Sequence, residues 1–286
     1  MNYRHIYHAG NHADVLKHAV LALVIEHLKG KDAGFRVIDT HAGTGSYDLG
    51  REEAQKTGEW LGGIGRLIGP NAKPMPDDIA GLLAPYLRAV RTWNPPGLLT
   101  RYPGSPRIAR ALLRPQDMLV VNELHPDDAA ALRRAFANDA QTKTLMLDGW
   151  TAVKALLPPR ERRGVVLIDP PFEAPGEMGR VVDALSDAVK RFATGIYMLW
   201  YPIKDRAVVR DLERRLETAG VPKLLQVELE VSATRHGEAE RLTGSGLIIC
   251  NPPYQLDKAL GRLVPWLAGR LAVSERSGRG VVKALL

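Results

Sequence analysis

Asp169-Pro170-Pro171-Phe172 closes the apolar run Val165-Val166-Leu167-Ile168, so a buried parallel strand is read as running directly into an acid, two prolines and an aromatic. Open α/β sheets bind their ligands just beyond the carboxyl ends of such strands, and chemistry is expected at this junction. The residue types suit methylation of an exocyclic base amine. The lone pair of such an amine is delocalised into its ring, and the nitrogen attacks poorly until acceptors hold its hydrogens and draw it towards a tetrahedral shape. The Asp169 carboxylate can be one acceptor and the Pro170 carbonyl the other, because two prolines fix φ and leave a stiff loop with no donor of its own. Phe172 offers a flat face to a base taken out of its stack. A plain strand-ending turn would use the same residues.

A methyl donor needs its own site. Phe35 to Asp39 reads as a short buried strand leading into Asp39-Thr40-His41-Ala42-Gly43-Thr44-Gly45. The dinucleotide pattern G-x-G-x-x-G fails here, since its third glycine falls at Asp48. A D-x-x-x-G-x-G turn suits S-adenosylmethionine better, because that molecule carries no pyrophosphate and needs only room for its amino acid end; a plain Gly-rich turn is the competing reading. The next acid at a strand end is Glu123, after Met118 to Asn122. It is placed to hold ribose hydroxyls, or else to cap the helix that begins around Pro126. It lies 78 residues past Gly45, where a nucleotide-binding fold places such an acid about 20 on. An insertion explains the gap: from Arg51 to Thr100 the glycines and prolines break up two helical patterns, which predicts a helical subdomain at 51–100 within a domain formed by 1–50 and 101–286.

The elements that must position these residues alternate between strand and helix. Asp14 to Lys29 has Leu16, Val20, Leu23 and Val24 at helical spacing, with Gly30 to stop it. Ser105-Pro106 reads as an N-cap with proline at the first position, opening a helix over Arg107 to Arg114. Thr144 to Leu147 is a third strand ending in Asp148-Gly149, and Val165 to Ile168 a fourth. Ile196 to Trp200, Leu225 to Glu230 and Leu247 to Cys250 supply three more, with a helix over Asp205 to Thr218, and the tail from Ser274 reads as polar and frayed. The fold expected is α/β, a doubly wound, Rossmann-like seven-stranded sheet with a small helical insertion. Asn251-Pro252-Pro253-Tyr254, after the last strand, is chemically as good an amine-methylating motif as the first. Order along the chain favours Asp169, because the fourth strand of such a sheet lies beside the first, and the seventh is antiparallel and away from the cofactor.

Composition bounds the function. A formal charge of +7 on 286 residues suggests an anionic partner, with nucleic acid the usual one. A single cysteine, Cys250, excludes an internal disulfide and any cysteine-based metal cage, and a reducing compartment, the cytoplasm, is expected. No apolar run reaches the length of a membrane span, and the N-terminus lacks signal-peptide features. Met1 to His12 combines Tyr3, Arg4, His5, Tyr7, His8 and His12, and looks like a contact arm. Its histidines, with His18, lack an acidic or cysteine partner at ligand spacing, so no metal is expected.

The chain resembles, almost end to end, the RlmJ family of S-adenosylmethionine-dependent enzymes that methylate the N6 of an adenine in large-subunit ribosomal RNA. The resemblance rests on Tyr3-Arg4-His5, His8 through His18, Asp39-Thr40-His41-Ala42-Gly43, Tyr102-Pro103-Gly104-Ser105-Pro106, Glu123-Leu124-His125-Pro126 and Ile168-Asp169-Pro170-Pro171. It implies a class I methyltransferase fold and cofactor contacts at His18, His41, Ser105, Glu123, Asp148, Gly149 and Asp169. Asp169 would be the catalytic acceptor, and Tyr3 would touch the RNA with His5 and Lys17 beside it. The aromatic after the two prolines is often Tyr in the family, and here it is Phe172, which keeps stacking and loses a phenol hydrogen bond. A monomer acting on free or partly assembled 23S ribosomal RNA is the expectation. A DNA adenine methyltransferase would need an element to read duplex bases, and no helix-turn-helix or zinc finger is evident. A non-catalytic RNA-binding protein on the same fold is the other class, and the intact Asp169, Glu123 and Gly-rich turn speak against it. Basic residues Arg107, Arg110, Arg160, Arg162 and Arg163 are expected around the strand ends that face the RNA.

Overall fold

A computed structural model of the chain describes residues 4–173, 176–232, 242–274 and 277–285. Its strands are β1 (Arg36–Asp39), β2 (Ser46–Asp48), β3 (Arg101–Pro103), β4 (Met118–Asn122), β5 (Thr142–Leu145), β6 (Gly164–Ile168), β7 (Ile196–Ile203), β8 (Leu224–Glu230), β9 (Gly244–Cys250) and β10 (Arg279–Ala284). The helices are α1 (His12–Lys29), α2 (Glu52–Thr57), α3 (Glu59–Gly62), α4 (Gly65–Ile68), α5 (Asp77–Arg91), α6 (Ser105–Leu112), α7 (Pro126–Ala135), α8 (Gly149–Leu156), α9 (Glu177–Arg191), α10 (Arg206–Thr218) and α11 (Leu256–Leu271).

Eight strands form one sheet in the order β10-β8-β9-β7-β6-β1-β4-β5. From β7 to β5 the pairs are parallel, as expected of strands joined by crossover helices. The chain winds from β1 outward through β4 to β5, then returns to β6 on the far side of β1. That reversal puts the ends of β1 and β6 side by side, with Asp39 in register with Leu167. β9 runs antiparallel between β7 and β8, so its last residue lies at the opposite end of the sheet from Asp169.

Runs such as Val165-Val166-Leu167-Ile168 are buried on both faces because helices cover both. α1 is buried nearly all round, whereas a single apolar face was expected of it. Its far side is covered by α5, which buries Ile79, Leu83, Tyr86, Leu87 and Val90, and by α6. Each fully buried Leu or Ile here, such as Leu16, Leu21 and Ile25, contributes about 1.5–3 kcal/mol relative to an exposed one. α1 also starts earlier than its periodicity suggests, because Asn11 Oδ1 accepts from the amides of Ala13 and Asp14 and caps it.

Local chemistry alters other expectations. The chain leaves for α2 to α5 and returns through β2 and β3, which pair with each other outside the main sheet. The N-cap of α6 is Gly104 rather than Ser105, which puts Ser105 and Pro106 inside the first turn. The expected seven strands become eight, because 279–284 pairs with the outer strand β8 instead of fraying. Val282 packs on the core and β10 lies against α11, so the edge of β8 is covered. The strand expected at 144–147 is β5, shifted to Thr142–Leu145, and Met146 and Leu147 beyond it are exposed.

Candidate active site

A cavity of about 240 Å³ opens where the carboxyl ends of β1, β4 and β6 meet the first turns of α1. The strand ends and the loops after them bring His41, Glu123, Asp148, Gly149 and Asp169 to its wall. Helix α1 adds Lys17 and His18, α6 adds Ser105, and the N-terminal segment adds His5. Residues drawn from positions 5 to 169 thus share one space. Phe172 does not line that cavity, and Tyr3 lies outside the described residues.

The most polar part is a buried carboxylate and ammonium chain. Lys17 Nζ donates to Asp169 Oδ2 at 2.5 Å and lies 3.0 Å from Asp14 Oδ1. Asp14, 1 % exposed, also receives the amide of Gly10 at 2.9 Å on Oδ2, with His5 Nε2 2.9 Å from the same oxygen. Burial would raise the Asp14 carboxyl, but His5, Lys17 and His18 outweigh it and hold the group well below the usual carboxylate range. Burial would likewise lower the Lys17 ammonium, and the carboxylates of Asp14 and Asp169 push it above its ordinary value. Both stay charged because each is paired, the condition for placing charges out of water. The pairing fixes the Asp169 plane through Oδ2. Among the described residues Oδ1 and the Pro170 carbonyl accept no hydrogen bond, so both are available to a ligand.

Around the rest of the cavity, backbone and side chain hold one another. Glu123 accepts the amide of Gly43 at 2.8 Å on Oε2 and that of His125 at 2.9 Å on Oε1. Each oxygen keeps a second lone pair. Gly43 has φ 60°, and a Cβ there would meet the Tyr47 hydroxyl at 2.3 Å, so the turn admits no side chain. Asp148 caps α8 through Oδ2, which receives the amide of Thr151 at 3.0 Å. A Cβ on Gly149 would lie 2.4 Å from His41 Nε2, so this glycine makes the room for the His41 ring. Burial pulls His41 down to about 4 and His18 to about 3, and both rings are neutral at pH 7. His18 Nδ1 is 2.7 Å from the Tyr102 hydroxyl, which is 3.0 Å from that of Tyr86 on α5. Its Nε2 is buried without a hydrogen bond among the described residues. Asp39, behind the Gly-rich turn, is raised by burial to about 7, opposed by the Ser105 hydroxyl.

Several expected placements differ. From Arg4 onward the arm is folded onto the protein: His5–Tyr7 is a turn of 3₁₀ helix, His8 Nδ1 is 3.0 Å from Glu59 Oε1, and Thr57 Oγ1 donates to the Tyr7 carbonyl. Arg110 is paired with Asp139, and Arg107 lies over the Phe136 ring, 4.1 Å from its centroid. Arg160, Arg162 and Arg163 precede β6 and therefore lie at the other end of the sheet from Asp169. Asn251 is at that other end too, as expected of a residue closing an antiparallel strand, with Nδ2 donating to the carbonyls of Ala193 and Gly195.

Other contributors were not singled out beforehand. Trp200 follows Leu199, the register partner of Ile168, and so flanks Asp169. It lines the cavity, 5.8 Å from the Phe172 ring, with Lys17 Nζ 6.0 Å from its own ring centroid. Trp150 meets the His41 ring edge-on at 5.8 Å. A signal existed for both, an aromatic closing the strand expected at 196–200, which runs on to Ile203 as β7, and one just after Asp148-Gly149. Asp14 carried none, because an acid in the first turn of a helix ordinarily serves the helix dipole.

Residues 32–283 match the family described as "Ribosomal RNA large subunit methyltransferase D, RlmJ". The chain is 46% identical over 273 residues to Ribosomal RNA large subunit methyltransferase J of Escherichia coli strain K12, covering 95% of this chain and 94% of that one. It is 43% identical over 284 residues to the protein of the same name from Haemophilus influenzae, covering 99% and 98%. The fold is similar to the crystal structure of a Legionella pneumophila protein, with a TM-score of 0.87, 31% identity, and 97% and 98% of the two chains covered.

Proposed function

The chain belongs to the RlmJ family of ribosomal RNA large subunit methyltransferases, and from that premise we propose that it transfers a methyl group from S-adenosylmethionine to the N6 amine of an adenine in 23S ribosomal RNA. The observation that carries the reading is the position of Asp169. Its carboxylate is anchored by Lys17 on one oxygen and open on the other, at the switch point of the sheet and on the wall of the cavity that begins at the Gly-rich turn.

The cavity fits the proposed donor. His18 Nε2, which makes no hydrogen bond among the described residues and lies 3.8 Å from Asp14 Oδ1, and the Ser105 hydroxyl suit the amino acid end, and the remaining lone pairs of Glu123 suit the ribose hydroxyls. Asp148 and Gly149, with His41 seated against the glycine, suit the adenine end. When bound, S-adenosylmethionine supplies an electrophilic methyl group on a sulfonium. Asp169 Oδ1 and the Pro170 carbonyl hold the two hydrogens of the target amine, and as the nitrogen takes the methyl group and a neutral thioether is released, the surplus proton passes to the Asp169 carboxylate and on to solvent. Trp200 on the cavity wall, with the Phe172 ring 5.8 Å from it, offers an aromatic face to the flipped base, His5 and Lys17 line the same cavity, and Tyr3, which lies outside the described residues, would touch the RNA. A base inside a helix cannot reach this site, so the target adenine is flipped, bulged or at a stem end.

The test is to incubate the protein with methyl-labelled S-adenosylmethionine and either deproteinised ribosomal RNA or genomic DNA, then digest to nucleosides. Label in N6-methyladenosine from the large ribosomal RNA is expected. Comparable label in DNA, or label on another base, contradicts the proposal.

A further inference from the structure

The second proline motif has no part in this chemistry, yet its loop is rigidly built. Asn251 has φ 54°, a left-handed conformation that asparagine tolerates better than most residues. Its amide donates to the carbonyls of Ala193 and Gly195 at 2.8 and 2.7 Å, and its backbone N–H donates to the Lys223 carbonyl at 3.1 Å. Pro253 is buried beneath the loop. The next residue, Tyr254, is held out at 83% exposure, and among the described residues no ring stacks on it.

The tyrosine stands at the mouth of a cavity of about 360 Å³. Its rim carries His27, Lys31, Arg162 and Arg163. Arg163 is engaged by the carbonyls of Ala33 and Leu28, while Lys31 and Arg162 are exposed and have no carboxylate partner among the described residues. Lys223, beside the loop, is also exposed and without such a partner. Burial, then the charges of Arg163 and Lys31, hold His27 below its ordinary pKa, in keeping with one continuous positive field. An exposed ring on a stiff loop beside unpaired cations is the arrangement by which proteins hold single-stranded nucleic acid.

We propose that this face is a second RNA-binding surface, where Tyr254 stacks on an unpaired base and Lys31 and Arg162 hold the phosphates next to it. The proposal rests on the reading that the substrate is RNA. The five residues of β6 separate this face from Asp169 by roughly 17 Å at 3.3 Å per residue. The bound segment is therefore not the target nucleotide but RNA that flanks it. An acidic protein segment would use the cations, but it would leave the preformed aromatic platform without a role.

Two variants test it, Tyr254→Ala and the double change Lys31→Glu with Arg162→Glu. The readout is anisotropy of a fluorescein-labelled 20-nucleotide oligo(U) and of a 23S transcript. Tyr254→Ala is expected to weaken oligo(U) binding about tenfold, the loss of one base stack. The double variant should also weaken it, and should reduce the log-log salt slope by about 1.4, two phosphates at roughly 0.7 each. Thermal unfolding and S-adenosylmethionine binding should match the parent. Unchanged affinity for both RNAs in folded variants overturns the surface, including the case in which the variants lose a ribosomal protein instead. A parent that methylates no RNA but loses affinity on these substitutions keeps the surface and removes the functional reading.

Discussion

Asp169-Pro170-Pro171-Phe172 and Asn251-Pro252-Pro253-Tyr254 both follow buried interior strands, and they lie at opposite ends of one sheet. Phe172 and Asn251 even share a φ of 54°. What separates the loops is strand direction and company. Asp169 follows a parallel strand beside β1, so it faces the Gly-rich turn and a carboxylate and ammonium chain that leaves one of its oxygens open. Asn251 follows an antiparallel strand, and both hydrogens of its amide are engaged by backbone carbonyls. A short motif becomes a site through the topology that surrounds it.

The largest expected difference is in methyl transfer. Asp169→Ala should cost at least 10²–10³-fold in single-turnover rate, the scale for removing a group aimed at the reacting atoms. Asn251→Ala should retain the parent rate per folded molecule while unfolding more easily, because two carbonyls lose their donor. The reverse ranking in folded proteins would exchange the roles of the two ends. Next comes Lys17→Met, which leaves Asp14 and Asp169 without their ammonium. Removing one partner of a buried pair costs about 3–5 kcal/mol, to be read from urea unfolding, and transfer should fall with it. Loss of under 1 kcal/mol would mean that His5 and Gly10 suffice to hold Asp14. Glu123→Ala should weaken S-adenosylmethionine binding roughly tenfold by calorimetry, through the lost charge-assisted bonds and the released Gly43 turn. Unchanged affinity would leave Glu123 as a turn clamp alone.

The smallest effect is that of pH on stability. His18 and His41, lowered by burial to about 3 and 4, are neutral when folded but take protons when unfolded below about 6.5. In that window the unfolded chain binds more protons, so stability falls as pH drops from 6.5 towards 4. Asp39, raised by burial to about 7, acts oppositely: its folded form keeps a proton from about 3.8 up to 7, and its contribution is lost as pH rises through that range. His12, lowered by burial to about 4 as well, adds to His18 and His41, and these three histidines against the Asp39 carboxyl leave a net fall on acidification. A melting temperature that is flat or rising between pH 6.5 and 4.5 would contradict the assignment.

Seven strands of the main sheet and the strand-end residues of the cavity were legible because each is a local pattern, an apolar run followed by an acid or glycine, and of the sheet order only the neighbourhood of β1 and β6 and the antiparallel course of β9 were expected. The surroundings of α1 were not. Its periodicity shows one apolar face, and nothing local reveals that α5 and α6 cover the other. The pairs β2–β3 and β8–β10 escaped for a similar reason, since three-residue strands are too short for alternation and β10 is ordered by the edge it covers. The arginines before β6 were legible in principle. Residues that precede a parallel strand lie at its amino end, which places Arg160, Arg162 and Arg163 away from Asp169.

The location of the chemistry can be tested without any substitution, by ultraviolet cross-linking of methyl-labelled S-adenosylmethionine to the intact protein followed by peptide mapping. Label should appear in the peptides that carry His41 to Gly45, Glu123 or Asp148 to Trp150, and excess unlabelled cofactor should abolish it. Label concentrated in the peptide that carries Asn251 to Tyr254 would contradict the account.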